Sequence, residues 1–201
     1  DKLKVALKYD ADSVNANHYL GELYRRIDRP EEADRYYRRA LDNMVESDSL
    51  LHNNYGVFLC SQGKTDAAVT QFMAVLDNPV YPQRAEIYDN IGACYQRASR
   101  LAEAEESYRQ ALKINPRLDK SLLAMAQLTF DDGRYLLTRA YFSRYIEIGV
   151  QSAATLWLAI NTEHLLQDIE REQILGQELI KLFPTSPEAA RYLKREFMHD
   201  K

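Results

Sequence analysis

Apolar residues recur along most of this chain every three or four positions, which is the period of an amphipathic α-helix. Leu20 and Tyr24, for example, stand four apart. Pro30 followed by Glu31 is typical of a helix start, because proline suits the first turn and an acid suits the positive end of the helix dipole. The pattern therefore predicts an all-α protein made of short helices.

These helical segments form a repeat. Gly21, Gly56 and Gly92 follow one another at intervals of 35 and 36 residues. One copy carries every residue of the 34-residue tetratricopeptide pattern. Its diagnostic residues are Tyr88, Ile91, Gly92, Tyr95, Ala104, Tyr108, Ala111 and Pro116. Each repeat of this kind is a helical hairpin that must stack on its neighbours, so we expect a right-handed superhelix, an α-solenoid.

The spacing predicts a single tetratricopeptide domain over 1–201. Pro116 and Pro184 lie 68 residues apart, two periods of 34, which places two further copies after the clearest one, although Ala126 and Ile160 replace the expected glycines there. Leu193 and Phe197 are expected on the apolar face of a terminal capping helix. The predicted segments are the end of a truncated repeat at 1–13, repeats at 14–48, 49–84, 85–118, 119–152 and 153–186, and the capping helix at 187–198.

Composition narrows the possible functions. A net charge of −4 argues against nucleic-acid binding, which favours basic surfaces. No apolar run approaches the ~20 residues needed to span a bilayer. The four histidines are scattered, and no glycine-rich, nucleophile or paired-carboxylate motif stands out. We therefore expect a non-enzymatic protein with no catalytic residue, metal or cofactor. The chain opens on Asp1 without methionine, so we expect a trimmed fragment.

In this architecture the first helix of each hairpin lines the concave surface, where a protein partner would bind. Phe130 and Trp157 could anchor an apolar peptide there, or could instead pack between the weaker repeats. Glu22 and Glu86 would repel a terminal carboxylate, which argues against a chaperone-tail clamp. The predicted partner-binding residues are His18, Asn53, Asp89, Gln96, Phe130, Trp157 and His164.

The two cysteines, Cys60 and Cys94, fall on the first helices of adjacent repeats. If they face each other, a disulfide closing this interval would stabilise the fold by roughly 3–4 kcal/mol. The alternative is a pair of buried thiols in a reducing compartment. The spacing alone leaves both possibilities open.

Several segments that repeat packing does not demand resemble the type IV pilus biogenesis lipoproteins, or pilotins, of Gram-negative bacteria. The likeness covers nearly the whole chain. Its segments are Asn53–Cys60, the loop Pro79–Pro82, Asn90–Cys94, Leu156–Ile160 and Leu182–Pro184.

The resemblance implies a lipid-anchored protein at the periplasmic face of the outer membrane that helps the type IV pilus secretin to localise and to multimerise. It also favours the disulfide. The lipidation site and the first helix of the first repeat are absent from this sequence, so membrane contact would come only through an anchor outside this fragment. The alternatives are an adaptor in another multiprotein complex and a non-catalytic regulatory subunit of a larger enzyme.

Overall fold

The computed structural model describes residues 10–195, which contain eleven α-helices and no strand. The first ten helices alternate as the first and second helices of five hairpins, and a short last helix follows them. The first helices are α1 Val14–Arg26, α3 Ser49–Ser61, α5 Arg84–Arg97, α7 Asp119–Asp131 and α9 Ala153–Leu165. The second helices are α2 Pro30–Asp42, α4 Thr65–Leu76, α6 Leu101–Ile114, α8 Tyr135–Ile146 and α10 Ile169–Leu182, and the last helix is α11 Pro187–Lys194.

Local chemistry sets where these helices begin. The Asp48 side chain accepts hydrogen bonds from the backbone amides of the first turn of α3. Ser152 forms a reciprocal capping box with Thr155 at the start of α9. Pro30 and Pro187 occupy the first turn of α2 and α11, where a missing amide hydrogen costs nothing. Polar caps and prolines thus divide a largely helical sequence into separate hairpins.

Within the first three hairpins, a glycine of the first helix lies against an aromatic ring of the second. A Cβ atom at Gly92 would approach the Tyr108 ring to 2.7 Å, too close for any side chain without displacing that buried ring. The equivalent pairs are Gly21 with Tyr37 and Gly56 with Phe72. This contact explains the glycine of the repeat, because only its bare backbone admits the ring.

The chain divides into two compact units. Unit 1 spans Asp1–Ile114, and its buried cluster includes Tyr37, Phe58 and Phe72. Unit 2 spans Asn115–Lys201, and one of its buried clusters includes Trp157 and Tyr192. Each unit therefore has apolar side chains removed from water by its own helices.

The all-α prediction is confirmed, and one detail of it is corrected. Leu193 is 66% exposed, and α11 instead buries Ala189 and Tyr192. Within this helix the buried ring of Tyr192 lies directly over Gly176 of α10 and makes the main contact with that helix. The truncated helix expected before residue 10 and Phe197 lie outside the described residues. None of the described helices is long and apolar enough to cross a membrane.

Candidate functional site

The two aromatic residues predicted to anchor a partner are buried. Phe130 is 1% exposed and packs edge-on against Tyr135, with ring centroids 5.6 Å apart. Trp157 is 3% exposed and lies in the cluster with Leu156 and Tyr192. The prediction that they form a surface anchor is therefore corrected: in repeats that lack the glycine, these large side chains fill the interior.

The other predicted residues mostly connect neighbouring helices. His18 is buried, and its Nε2 lies 3.0 Å from the Asn54 amide nitrogen. Asn53 accepts a hydrogen bond of 3.0 Å from Asn90. These two contacts link the first helices of three successive repeats, α1 to α3 and α3 to α5. Asn53 is half-buried.

Three predicted residues contact second helices instead. Gln96 is half-buried and accepts a 2.9 Å hydrogen bond from the Tyr108 hydroxyl of α6. Burial raises the pKa of Tyr108, and the carboxylate of Asp89, which is buried at 9% exposure, raises it further. In unit 2, His164 Nδ1 lies 2.9 Å from Glu172 of α10. These side chains contribute to packing inside each hairpin more than to an outer surface.

The exposed side of the first helices in unit 1 lies at other positions of the repeat: two residues before the glycine, one after it and five after it. We call this surface the open face. Its residues are half-buried or exposed in all three helices. They are Tyr19, Glu22 and Arg26 on α1, Asn54, Val57 and Ser61 on α3, and Asn90, Ala93 and Arg97 on α5.

A pocket of about 160 Å³ opens on this face between α3 and α5. Val57, Ala93 and Phe72 give it an apolar lining, and Arg97 and Ser61 stand at its edge. Cys60, which also lines it, is joined by a disulfide to Cys94, with the two Cα atoms 5.5 Å apart. The bridge therefore fastens the two helices that form the pocket.

The charged residues of the open face differ in whether they have a partner within the protein. On α1, Glu22 accepts hydrogen bonds from Arg25 and from the Tyr37 hydroxyl. Burial alone would raise the pKa of Glu22, but these bonds lower it below its ordinary value, so the carboxylate stays ionised. Arg97 on α5, by contrast, has no ion-pair partner among residues 10–195. It is the positive charge at the pocket.

Unit 2 carries a different set of features. A depression of about 460 Å³ between α7 and α9 is lined mainly by apolar side chains, with Leu123 and Leu158 among them. Deeper in the unit, the buried carboxylate of Glu163 is paired with Arg139 of α8, which also reaches Asp168 at 3.0 Å. Within the described residues, no group of three or more histidine, cysteine or acidic side chains could hold a metal ion.

The chain is similar to known tetratricopeptide repeat proteins. Tetratricopeptide repeat families match residues 18–50 and 46–117. The type IV pilus assembly protein PilF of Pseudomonas aeruginosa is 28% identical over 186 residues, which cover 92% of this chain and 73% of PilF. The chain is a homologue of PilF. The predicted tetratricopeptide fold and the resemblance to this kind of protein are thus confirmed.

Two solved structures agree with this assignment. That of Pseudomonas aeruginosa PilF matches 96% of this chain and 87% of its own, with a TM-score of 0.79 and 27% identity. That of PilW, a widely conserved type IV pilus biogenesis factor, matches 95% of this chain and 87% of its own, with a TM-score of 0.77 and 25% identity. The likeness to PilF and PilW therefore extends over both units.

None of the seven predicted binding residues lies on the open face of this PilF homologue. In unit 1 the predicted residues stand three positions before or four positions after the repeat glycine. The residues of the open face stand two before, one after or five after it. Arg97, which lines the pocket, was not among the predicted binding residues. The glycine itself was the available signal, because it marks the side of the helix that faces the second helix of the same hairpin.

Proposed function

We propose that this chain is a non-catalytic scaffold of type IV pilus biogenesis and, more specifically, a pilotin. In this role it binds the subunit of the pilus secretin and assists both its delivery to the outer membrane and its multimerisation. The observation that carries the proposal is the homology to PilF over 92% of the chain. Tetratricopeptide proteins of this kind generally hold other proteins rather than transform small molecules.

Two features of the molecule support the proposal. The open face of unit 1 combines amides, apolar side chains and an uncompensated Arg97, which is the chemistry of a protein-binding surface. The disulfide between Cys60 and Cys94 suits an oxidising compartment such as the periplasm. In the proposed role, the full-length protein is anchored by a lipid to the periplasmic face of the outer membrane.

Deletion of the gene in its native host tests the proposal. We expect the loss of detergent-resistant secretin multimers on immunoblots and the loss of secretin from outer-membrane fractions, both restored by the wild-type gene. Secretin multimers that form normally in the deletion strain would refute the pilotin role. Co-purification of the chain with a catalytic subunit, or with a complex unrelated to pili, would favour the alternative roles of regulatory subunit or adaptor.

A further inference from the structure

We infer that the open face of unit 1 binds its partner as an extended polypeptide segment. This segment presents a backbone peptide group to Asn90, an aliphatic side chain to the neighbouring pocket and a carboxylate to Arg97. The inference rests on the proposed function in one respect, namely that the ligand is a protein. It adds the conformation of the bound segment and the chemistry that recognises it.

Asn90 supplies the first part of the argument. It donates one amide hydrogen to Asn53, and no other hydrogen bond of its side chain is present among the described residues. Its amide oxygen and its second N–H therefore remain available, and the residue is half-buried on the open face. A peptide group offers the complementary acceptor and donor, and an extended strand leaves these groups unpaired whereas a helix uses them internally.

The pocket supplies the second part. Its volume of about 160 Å³ suits one aliphatic side chain and is small for a whole helix face. Asn90 itself lines the pocket, together with Val57 and Ala93, so the peptide group and the side chain would be read side by side. Alternate side chains of an extended segment point to one face. One of them can therefore enter the pocket while the backbone stays hydrogen-bonded to Asn90.

Arg97 supplies the third part. It lies two helical turns beyond Asn90, a rise of about 10 Å at ~1.5 Å per residue. An extended chain covers that distance in about three residues at ~3.3 Å each. The guanidinium lacks an internal acid, so a carboxylate at that position of the ligand would complete its ion pair. The occupant is therefore an acidic, aliphatic and extended segment.

A peptide selection tests this directly. The probe is a phage-displayed library of random 12-residue peptides, selected against the oxidised full chain with its disulfide intact. We expect enrichment of an aliphatic residue with aspartate or glutamate within about three positions on one side of it. A synthetic copy of an enriched peptide is then measured by fluorescence anisotropy. N-methylation at one backbone position beside the aliphatic residue should weaken binding by about tenfold or more, because it removes a backbone donor.

Charge exchange assigns the acidic position. Arg97→Glu should weaken binding of the enriched peptide by about tenfold or more, and a peptide with lysine in place of its acid should recover affinity for that variant. Arg35→Glu makes the same charge change on α2, outside the open face, and should leave the affinity unchanged. Circular dichroism of both variants establishes that they are folded. Recovery by the exchanged peptide cannot come from a merely structural role of Arg97.

Three results would overturn the inference. They are the absence of any enriched motif, enriched peptides whose affinity is indifferent to Arg97→Glu, and a helical circular dichroism signal gained by the peptide on binding. The outcome is separable from that of the gene deletion. If secretin multimers require the protein but no extended acidic peptide binds, the pilotin role stands and this recognition mode fails. If peptides bind as expected while secretin assembly is normal in the deletion strain, this recognition mode stands and the pilotin role fails.

Discussion

At the scale of single residues, the same position of every hairpin turn adopts a left-handed backbone. Gly63 and Gly133 have φ of 72°, a conformation that costs glycine little. The equivalent residues of the other hairpins are Asp28, Ser99 and Gln167, with φ of 55°, 58° and 59°. A residue with a Cβ atom is strained there, so three of the five turns are not at their stability optimum.

Ser99→Gly should accordingly stabilise unit 1 by about 0.5–1 kcal/mol. The reason is that the relief of backbone strain in the folded state is larger than the entropic cost of ordering a more flexible glycine. Urea unfolding followed by circular dichroism measures the effect. Ala98→Gly, at an adjacent residue with φ of −83°, is the matched control and should lower the free energy of unfolding. A loss of stability in Ser99→Gly would contradict the strain argument.

His18 makes the stability of unit 1 depend on pH. Its buried ring accepts a hydrogen bond from the Asn54 amide through Nε2, and burial lowers its pKa below the ordinary 6.5, against the opposite effect of Asp48 and Glu22. Since the folded state disfavours the proton, this stabilisation is complete above pH ~6.5 and is lost as the pH falls through the lower folded pKa.

The urea midpoint of the wild type should therefore fall more between pH 7.5 and pH 5.5 than that of His18→Gln, which cannot be protonated. The contribution of Glu22 has the same sign but a lower range, because its pKa is lowered from 4.5 and its stabilisation is lost only in more acidic solution. Parallel pH dependence in the two proteins would exclude His18 as the source.

Some of these residues could be placed from sequence and others could not. The repeat spacing predicted the hairpins because the aromatic ring packed against each of Gly21, Gly56 and Gly92 leaves no room for a side chain there. The binding face was misplaced because each residue turns a helix by about 100°, so one position decides between interior and surface. Positions three before and four after the glycine point within about 60° of it, towards the interior. Trp157 could not be placed because its repeat lacks the glycine.

At the scale of elements, the disulfide is the strongest link between α3 and α5. It joins cysteines 34 residues apart, and loop closure over that interval restricts the unfolded chain by about 3–4 kcal/mol. Around it, Asn53 and Asn90 form a weaker polar link between the same helices. The pocket therefore lies between two elements that are held together covalently.

Cys60→Ser combined with Cys94→Ser should lower the free energy of unfolding of unit 1 by about 3–4 kcal/mol. Urea titration of the oxidised wild type and the variant measures the difference. Reduced wild type and the single variant Cys60→Ser serve as controls, since each lacks the bridge and should resemble the double variant. Equal stability of the oxidised and reduced wild type would contradict the expected contribution.

At the scale of the whole molecule, the two compact units have separate buried clusters. The chain contains one tryptophan, Trp157, which is buried in unit 2. Its fluorescence therefore reports on unit 2 alone, whereas circular dichroism follows the helices of both. Proteins with more than one cooperative unit commonly depart from two-state unfolding.

Tyr192→Ala should shift the tryptophan-detected urea transition to lower concentration, because it removes the ring that covers Gly176 and leaves a cavity worth about 3 kcal/mol. The circular dichroism curve should then separate into two steps. Leu193→Ala, at the exposed neighbouring residue, is the matched control and should leave both curves nearly unchanged. A single coincident transition in Tyr192→Ala would show that the units unfold together.

The bridge between Cys60 and Cys94 also decides how far the chain can be pulled. A stacked repeat protein stretched from its ends yields hairpin by hairpin, but the 34-residue interval inside the covalent ring cannot be drawn out. At up to ~3.6 Å per extended residue, the oxidised chain reaches full extension about 120 Å short of the reduced one. Under tension, the oxidised protein would thus stop lengthening earlier than the reduced one.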